Sequence, residues 1–171
     1  MARGHWVRRD RGGPVVLRFE PIEAQTIAAI VDDVRSVLEE GAGDDPVSRR
    51  LFPRAYLDPT EEAAETEWQA LVQPDLLRTR LDALDAVTCS LQAAPSTRRG
   101  ELEIVLDEVS QGQWLGVIND ARLAIGTALD ITEESDLDDF AADDPRQGQF
   151  LLYTALTALE GELVDALLGE L

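Results

Sequence analysis

The sequence predicts an α+β fold that is predominantly α-helical, with the helices packed on a small N-terminal antiparallel three-stranded sheet. Apolar residues recur at the helical period in five segments, at about 21–40, 60–72, 75–92, 108–129 and 145–168. Short strand-like runs lie at about 5–9, 14–19 and 102–106, and the last of them carries the β-branched pair Ile104 and Val105. With 171 residues, of which 44% are hydrophobic, we expect a single domain over 1–171 with a substantial core.

The stretch 101–129 is the clearest unit, because a strand leads directly into a long amphipathic helix. Asp107 lies between them as a predicted N-cap, whose carboxylate can accept amide hydrogens of the first helical turn. Gly112 and Gly116 lie one turn apart inside the helix. Each glycine costs about 1 kcal/mol relative to alanine there, so we expect another element to approach the backbone closely at this point.

A degenerate copy of this unit precedes it by 87 positions. The shift places Phe19 on Leu106, Ile27 on Trp114, Ile30 on Val117 and Val31 on Ile118. An Asp-x-Arg recurs on the predicted outer face of both helices, as Asp33 with Arg35 and as Asp120 with Arg122. Chance similarity between two amphipathic helices is the alternative. A true repeat predicts two strands in one sheet and two helices side by side on it.

Composition restricts the partners. The chain has 34 acidic and 15 basic residues, a net charge of −19 and a pI of about 4.2. Such a surface repels phosphate backbones at long range, which argues against nucleic acid as the main partner. No apolar run is long enough to span a bilayer, and the first residues are rich in Arg and Gly instead of forming a hydrophobic signal region. We therefore expect a cytoplasmic protein that binds no membrane.

The residue types also restrict the chemistry. His5 is the only histidine, so neither a catalytic triad nor a His-bearing zinc or di-iron site can form. We expect no enzyme activity, no catalytic residue, no cofactor and no metal, with a carboxylate-only magnesium site as the minor alternative. Cys89 is the only cysteine, which excludes an intramolecular disulfide. We expect a buried, inert thiol; an exposed thiol open to intermolecular oxidation is the alternative.

The segment Val47–Pro59 is the best candidate for a partner-binding surface, because arginines alternate with aromatic residues and can grip phosphates or acidic peptides. Together with the outer face of the helix at 108–129, the candidate residues are Arg49, Arg50, Phe52, Arg54, Tyr56, Asp120 and Arg122. The alternative is a connector whose aromatic residues plug into the core while its arginines pair with the many acids.

Several other segments carry specific expectations. Arg3, Arg8, Arg9 and Arg11 form a basic patch on a predicted N-terminal hairpin with its turn at 10–13. This patch could contact nucleic acid or an acidic partner, or its arginines could simply be solvated residues on the strand face. Thr60 is expected to cap a helix, and Pro74 to break or kink it.

Residues 130–144 carry eight acids, which is typical of a solvated, mobile linker. The alternative is an acidic docking segment around Leu137 and Phe140. The continuous leucine edge of the last helix indicates burial or a homodimer interface.

Three motifs carry a resemblance to a known family. They are RLFPRAY at Arg50–Tyr56, DLLRTRLDALDAVTCSL at Asp75–Leu91 and WLGVINDARLAIGTALDITEE at Trp114–Glu134, with WLxxxNDxRLxxGTxL as the most specific pattern. They resemble an actinobacterial family of oxidative-stress regulators, long classed as a domain of unknown function and typically encoded beside the ClpS protease adaptor. The resemblance covers nearly the whole chain.

The resemblance implies a regulator of stress-response transcription that binds a sigma factor or RNA polymerase. Family members are linked to an extracytoplasmic-function sigma factor, with a cysteine pair as sensor. This chain departs from that pattern, because Cys89 is alone and no intrachain thiol switch can form. Regulation through protein–protein contacts is the function that we expect. A structural homodimer joined through the C-terminal helix, or a DNA-binding regulator using the N-terminal arginines, are the alternatives.

Overall fold

The computed structural model describes residues 6–9, 13–141 and 143–169. Three strands, β1 (Val7–Arg9), β2 (Val15–Phe19) and β3 (Leu102–Leu106), form one antiparallel sheet in the order β1-β2-β3. The helices are α1 (Pro21–Glu40), α2 (Pro46–Leu51), α3 (Glu62–Ala93), α4 (Glu108–Ala128) and α5 (Arg146–Leu168). Single 3-10 turns lie at Pro59–Glu61 and Leu137–Asp139. The predicted α+β class, mainly helical with a small three-stranded sheet, is confirmed.

Local signals in the sequence fix the ends of α1 and the start of α4. Pro21 occupies the first turn of α1, where its missing N–H costs no hydrogen bond. Gly41 ends α1 at a φ of 79°, and its N–H donates to the Leu38 carbonyl at 3.1 Å. Asp107 caps α4 as predicted, since its carboxylate accepts the Ser110 amide at 2.8 Å.

The two copies of the repeat come together around a local two-fold axis. β2 and β3 are antiparallel neighbours, and Leu17 lies directly opposite Ile104, which is the residue 87 positions further on. An axis through this pair exchanges the two strands and relates α1 to α4, and these two helices pack against each other. The predicted arrangement of two strands in one sheet with two helices side by side on it is therefore confirmed.

The core lies between the inner face of the sheet and the helices. Trp114 of α4 is the largest fully buried side chain, and its ring stacks on Phe19 of β2 with centroids 5.7 Å apart. Leu17 and Leu106 are buried beside them, and Leu163 brings α5 into the same cluster. Each half of the repeat thus contributes both a strand and a helix to one core.

The helix boundaries near α3 differ from the expectation. The segments 60–72 and 75–92 form one continuous helix of 32 residues, so Pro74 does not break it. Proline removes one hydrogen bond and crowds the preceding turn, but the C-terminal half of α3 packs on both α1 and α4 and holds the helix together. Thr60 does not cap α3, whose N-cap position is Glu61; Asp58 caps the preceding 3-10 turn by accepting the Thr60 amide at 2.8 Å.

The glycine pair in α4 contradicts the sequence prediction. A Cβ atom added at Gly112 or Gly116 would meet nothing within 4 Å, so no element approaches the helix closely there. Both residues face an open depression of about 620 Å³ between α3 and α4, beside Ala83. The two glycines therefore leave a smooth strip on the surface of α4.

The N-terminal strand and the acidic segment are both tied to α5. The Arg9 guanidinium donates to the Ala166 carbonyl at 2.5 Å, which satisfies an open group at the C-terminus of α5 and complements the helix dipole. The 130–144 segment includes the turn Leu137–Asp139, and the Phe140 ring lies 5.3 Å from Phe150 of α5. Phe140 is thus anchored on its own chain, and the segment is more than a solvated linker.

Candidate partner-binding surface

Residues 41–61 connect α1 to α3 and contain the short helix α2, where the sequence predicted only a loop. The Asp45 carboxylate caps α2 by accepting the Val47 and Ser48 amides, both at 3.0 Å. α2 packs on α4 through buried Ser48 and Leu51. The helix is therefore fixed to the body, and its opposite face points to solvent.

The exposed face of α2 carries two arginines. Arg49 makes one ion pair, to Asp44 at 3.4 Å, but both side chains are largely in solvent, where such a pair contributes little. Arg50 is exposed and forms no hydrogen bond or ion pair with any residue that the structure describes. The guanidinium of Arg50 is thus available to an acidic group on another molecule.

A buried carboxylate holds the segment that follows α2. Glu65 of α3 is only 1% exposed, and its Oε2 accepts the backbone amides of Ala55 at 3.0 Å and Tyr56 at 2.8 Å. Its Oε1 accepts from the Gln69 side chain at 2.5 Å. These bonds, led by the Tyr56 amide, hold the pKa of Glu65 below its usual range, so the group is ionised at neutral pH.

The Arg54 side chain folds back toward Glu62 and Glu65 instead of reaching into solvent. Its guanidinium pairs with Glu62 at 2.5 Å, lies 4.0 Å from Glu65, and donates to the Tyr56 carbonyl at 3.2 Å. The hydrogen bond to Glu62 raises the pKa of Arg54 above its ordinary value. Arg54 therefore stabilises the conformation of residues 54–56, as the connector interpretation expects of the arginines.

Arg80 ties the base of this segment to the helices beneath it. The Arg80 guanidinium donates to the Leu51 carbonyl at 2.5 Å, at the end of α2. It lies 3.3 Å from Asp120 of α4 and 5.9 Å from the centroid of the half-buried Phe52 ring. α2, α3 and α4 are thus joined through one side chain.

The outward face of the segment holds one aromatic and one aliphatic residue. Tyr56 is 36% exposed and Leu57 is 82% exposed, although the backbone on their N-terminal side is bonded to Glu65. Tyrosine and arginine are both enriched among the residues that contribute most to the binding energy of protein interfaces. We call Arg50, Tyr56 and Leu57 the loop surface.

Asp120 and Arg122 do not join the loop surface, contrary to the sequence prediction that placed them on one outer face. Residues two apart on a helix point in nearly opposite directions. Asp120 is 6% exposed and faces Arg80; burial raises the pKa of its carboxyl, and the Arg80 charge opposes that shift. Arg122 faces α5, where it donates to Thr157 at 2.9 Å and pairs with Glu160. Both residues hold helices together.

Three further expectations concern cysteine, metal and membrane. Cys89 is exposed on α3, so the prediction of a buried thiol is wrong. Within the described ranges, no cluster of three or more His, Cys, Asp or Glu side chains is arranged to hold a metal ion. None of the helices in this part of the chain combines the length and the apolar character needed to cross a bilayer.

The N-terminal arginines are used in different ways. Arg9 is bonded to the end of α5 and is half-buried, so it is not a free cation. Arg8 is exposed on β1, while Arg3 and Arg11 lie outside the described residues. A DNA-binding surface made of these arginines would have to do without Arg9.

The sequence analysis missed Glu65, Arg80 and Leu57. Glu65 resembles any acidic residue in the first turns of a helix, and only its contact with residues ten positions earlier shows that it is buried. Arg80 has partners 29 and 40 positions away, which no local pattern indicates. Leu57 lies between Tyr56 and Asp58, and nothing in the spacing shows that it is exposed.

These elements define an acidic, mainly helical α+β protein that presents a rigid loop bearing arginine, tyrosine and leucine. The chain belongs to the DUF2017 family, described as a domain of unknown function, whose model matches residues 2–167. The predicted family is thereby confirmed.

Among curated relatives, the oxidative stress regulators AosR of Mycobacterium tuberculosis and Mycobacterium bovis are each 29% identical to this chain over 136 residues. These alignments cover 73% of this chain and 59% of the relative. The AosR protein of Mycobacterium leprae is 29% identical over 137 residues, covering 74% of this chain and 60% of the relative. The matched region thus spans about three-fifths of the length of these relatives. No solved structure matches this chain.

Proposed function

We propose that this protein is a non-enzymatic regulator that acts by binding another protein through the loop surface, in the control of stress-response transcription. The single observation that carries the proposal is the clamp of Glu65 on the backbone of Ala55 and Tyr56. A buried carboxylate held by three hydrogen bonds fixes a surface loop whose next residues are exposed. Such pre-organisation lowers the entropy that an interface residue loses on binding.

The regulatory part of the proposal is supported by the names of the relatives, which are oxidative stress regulators. For the partner we propose a sigma factor or RNA polymerase, in line with the resemblance to transcription regulators. The free Arg50 guanidinium would pair with an acidic group of that partner, while Tyr56 and Leu57 would enter an apolar pocket.

The test is binding of the purified protein to a defined set: the cognate RNA polymerase core and each cognate sigma factor. The loop-surface variant Arg50→Ala/Tyr56→Ala/Leu57→Ala should weaken binding to one of them by at least about tenfold. The matched control is Arg98→Ala/Arg99→Ala, which removes more positive charge from an exposed turn before β3. It should leave the affinity unchanged. No binding to any member of the set, or equal loss in both variants, would refute the proposal.

A further inference from the structure

The two halves of the repeat differ in how one pair of helices packs. α3 is the next long helix after α1 and α5 is the next long helix after α4, so the contact between α3 and α4 has its counterpart in the contact between α5 and α1. α3 packs closely along α4, whereas α1 and α5 hardly touch. A groove is left open between α1 and α5, and residues of α4, with Val47 of α2, form its floor toward the end of α1.

This open groove contains two hollows, of about 130 and 250 Å³, which share Ile30 and Leu152 as common wall residues. The first extends to Ile27 and Leu156, and the second to Val37 on α1. From Ile27 to Val37 the helix advances ten residues, or roughly 15 Å at about 1.5 Å per residue. The groove is thus an apolar channel about three helical turns long.

The size and surroundings of the hollows favour side chains of a protein over a small ligand. Each hollow is smaller than the roughly 300–1,000 Å³ of common small-molecule pockets, and a channel about three turns long can take apolar residues from successive turns of a helix. The apolar surface continues beyond the hollows. Ile22 is 64% exposed one turn before the lining residue Thr26, and Leu151 is 52% exposed one turn before the lining residue Ala155.

The charged residues around the groove indicate which kind of segment it can bind. Among the residues that the structure describes, Glu23 and Asp33 are the charged ones that line the two hollows, and no arginine of these ranges lines either of them. Glu23 already accepts the Trp6 indole N–H at 2.9 Å and the Glu20 amide at 2.8 Å, while Asp33 is exposed at the rim. The whole chain carries a net charge of −19, which attracts a positively charged segment.

We infer that the groove between α1 and α5 binds a basic amphipathic helix of a partner protein, with its apolar face in the two hollows and its basic residues beside Asp33. Val47 of α2 lines the second hollow, but none of Arg50, Tyr56 and Leu57 lines either hollow, and the inference does not depend on the loop surface being functional.

The probe is a synthetic, fluorescein-labelled 16-residue helical peptide with leucines on one face and arginines on the other. Two control peptides have the same length: one has the leucines scrambled around the helix, and the other has glutamate in place of arginine. We expect the basic amphipathic peptide to bind at least about tenfold more tightly than either control, with an affinity that falls as salt is raised. Amide shifts in a ¹⁵N-labelled sample should change along α1 and α5.

Two variants of the full chain locate the site. Ala155→Phe fills the first hollow, and Asp33→Arg reverses the charge at the rim without touching the core. Each variant should bind the basic amphipathic peptide at least about fivefold more weakly than the wild type. Ala93→Phe, at the exposed end of α3, is the control and should leave the affinity for the peptide unchanged. The inference is overturned if the control peptides bind equally well, if the basic peptide does not bind, or if the shifts map to residues 49–58. A dimer of the free protein that Ala155→Phe dissociates would assign the groove to a second copy and overturn it as well.

Discussion

The two halves of the repeat use equivalent residues for different purposes. Arg35 of α1 pairs with Asp85 of α3 at 2.6 Å, and its counterpart Arg122 of α4 pairs with Glu160 of α5. Each arginine thus joins its own helix to the next long helix. The aspartates two positions earlier differ, because one is exposed at the rim of a groove and the other is buried against Arg80. The repeat maintains the contacts that assemble the core, whereas the surface of each half differs.

The connection after each repeat helix shows the same contrast. In the first half it contains α2 and a loop that Glu65 fixes from below. In the second half it is the acidic segment 130–144, which Phe140 anchors through Phe150 and through Arg146, 5.5 Å from the Phe140 ring. The first connection holds apolar and basic side chains toward solvent. Both proposed binding surfaces therefore use elements of the first half, and the groove adds α5.

The largest difference between the halves should appear in the core. Trp114→Ala removes a fully buried ring and is expected to cost about 3–5 kcal/mol of the free energy of unfolding. Its counterpart Ile27 is only half-buried and lines the groove, so Ile27→Ala should cost clearly less. Urea denaturation of both variants measures the two costs. Equal costs would mean that the groove is closed in solution and that the halves are alike.

The next effect on stability concerns the hydrogen bonds from the Ala55 and Tyr56 amides to Glu65, which belong to the first half. Glu65→Gln should lower Tm, because the amide nitrogen of glutamine is a donor facing other donors. Glu67→Gln, on an exposed position of α3, is the control and should leave Tm unchanged.

The pH dependence of the clamp has a definite sign. The pKa of Glu65 is lower in the folded chain than in the unfolded one, where a glutamate titrates at about 4.3. Its contribution is therefore complete above about pH 5 and is lost as the pH falls through the folded pKa. The Tm difference between the wild type and Glu65→Gln should shrink on acidification. A Tm difference that grows as the pH falls would contradict a stabilising role of the ionised Glu65 carboxylate.

A smaller effect separates the two arginine bridges. The Arg122 and Glu160 side chains are 22% and 21% exposed, and Arg122 also lies 5.6 Å from the Tyr153 ring centroid. Arg122→Ala should cost about 1–3 kcal/mol. Arg35 pairs with the more exposed Asp85, so Arg35→Ala should cost less than about 1 kcal/mol. Chemical denaturation decides this point, and the reverse order would show that burial does not set the strength of the bridges.

Local signals predicted the fold better than they predicted the surface. The bounds of α1 follow from Pro21 and Gly41, and β3 from its β-branched residues, because each of these signals acts within a few positions. Pro74 misled the analysis, since packing of α3 on two other helices outweighs the local cost of proline. The GxxxG spacing in α4 misled it too, because spacing alone does not show which face of a helix is covered.

The candidate surface could be predicted only in part for the same reason. Of the predicted binding residues, Arg50 and Tyr56 are exposed, but Arg54 and Phe52 are engaged by partners on α3. Asp120 and Arg122 are only two positions apart, yet their partners lie on different helices. Whether an arginine is free or structural depends on acids and carbonyls that are distant in sequence, and folding alone brings these together.

The most direct test of the proposed regulator is the affinity of the loop surface for a defined partner. Isothermal titration calorimetry of the wild type, of Arg50→Ala/Tyr56→Ala/Leu57→Ala and of Arg98→Ala/Arg99→Ala against each cognate sigma factor and RNA polymerase core measures it. We predict one partner that binds the wild type and the control equally and the loop variant at least about tenfold more weakly. A partner that binds all three equally, or the absence of binding throughout the set, would contradict the account.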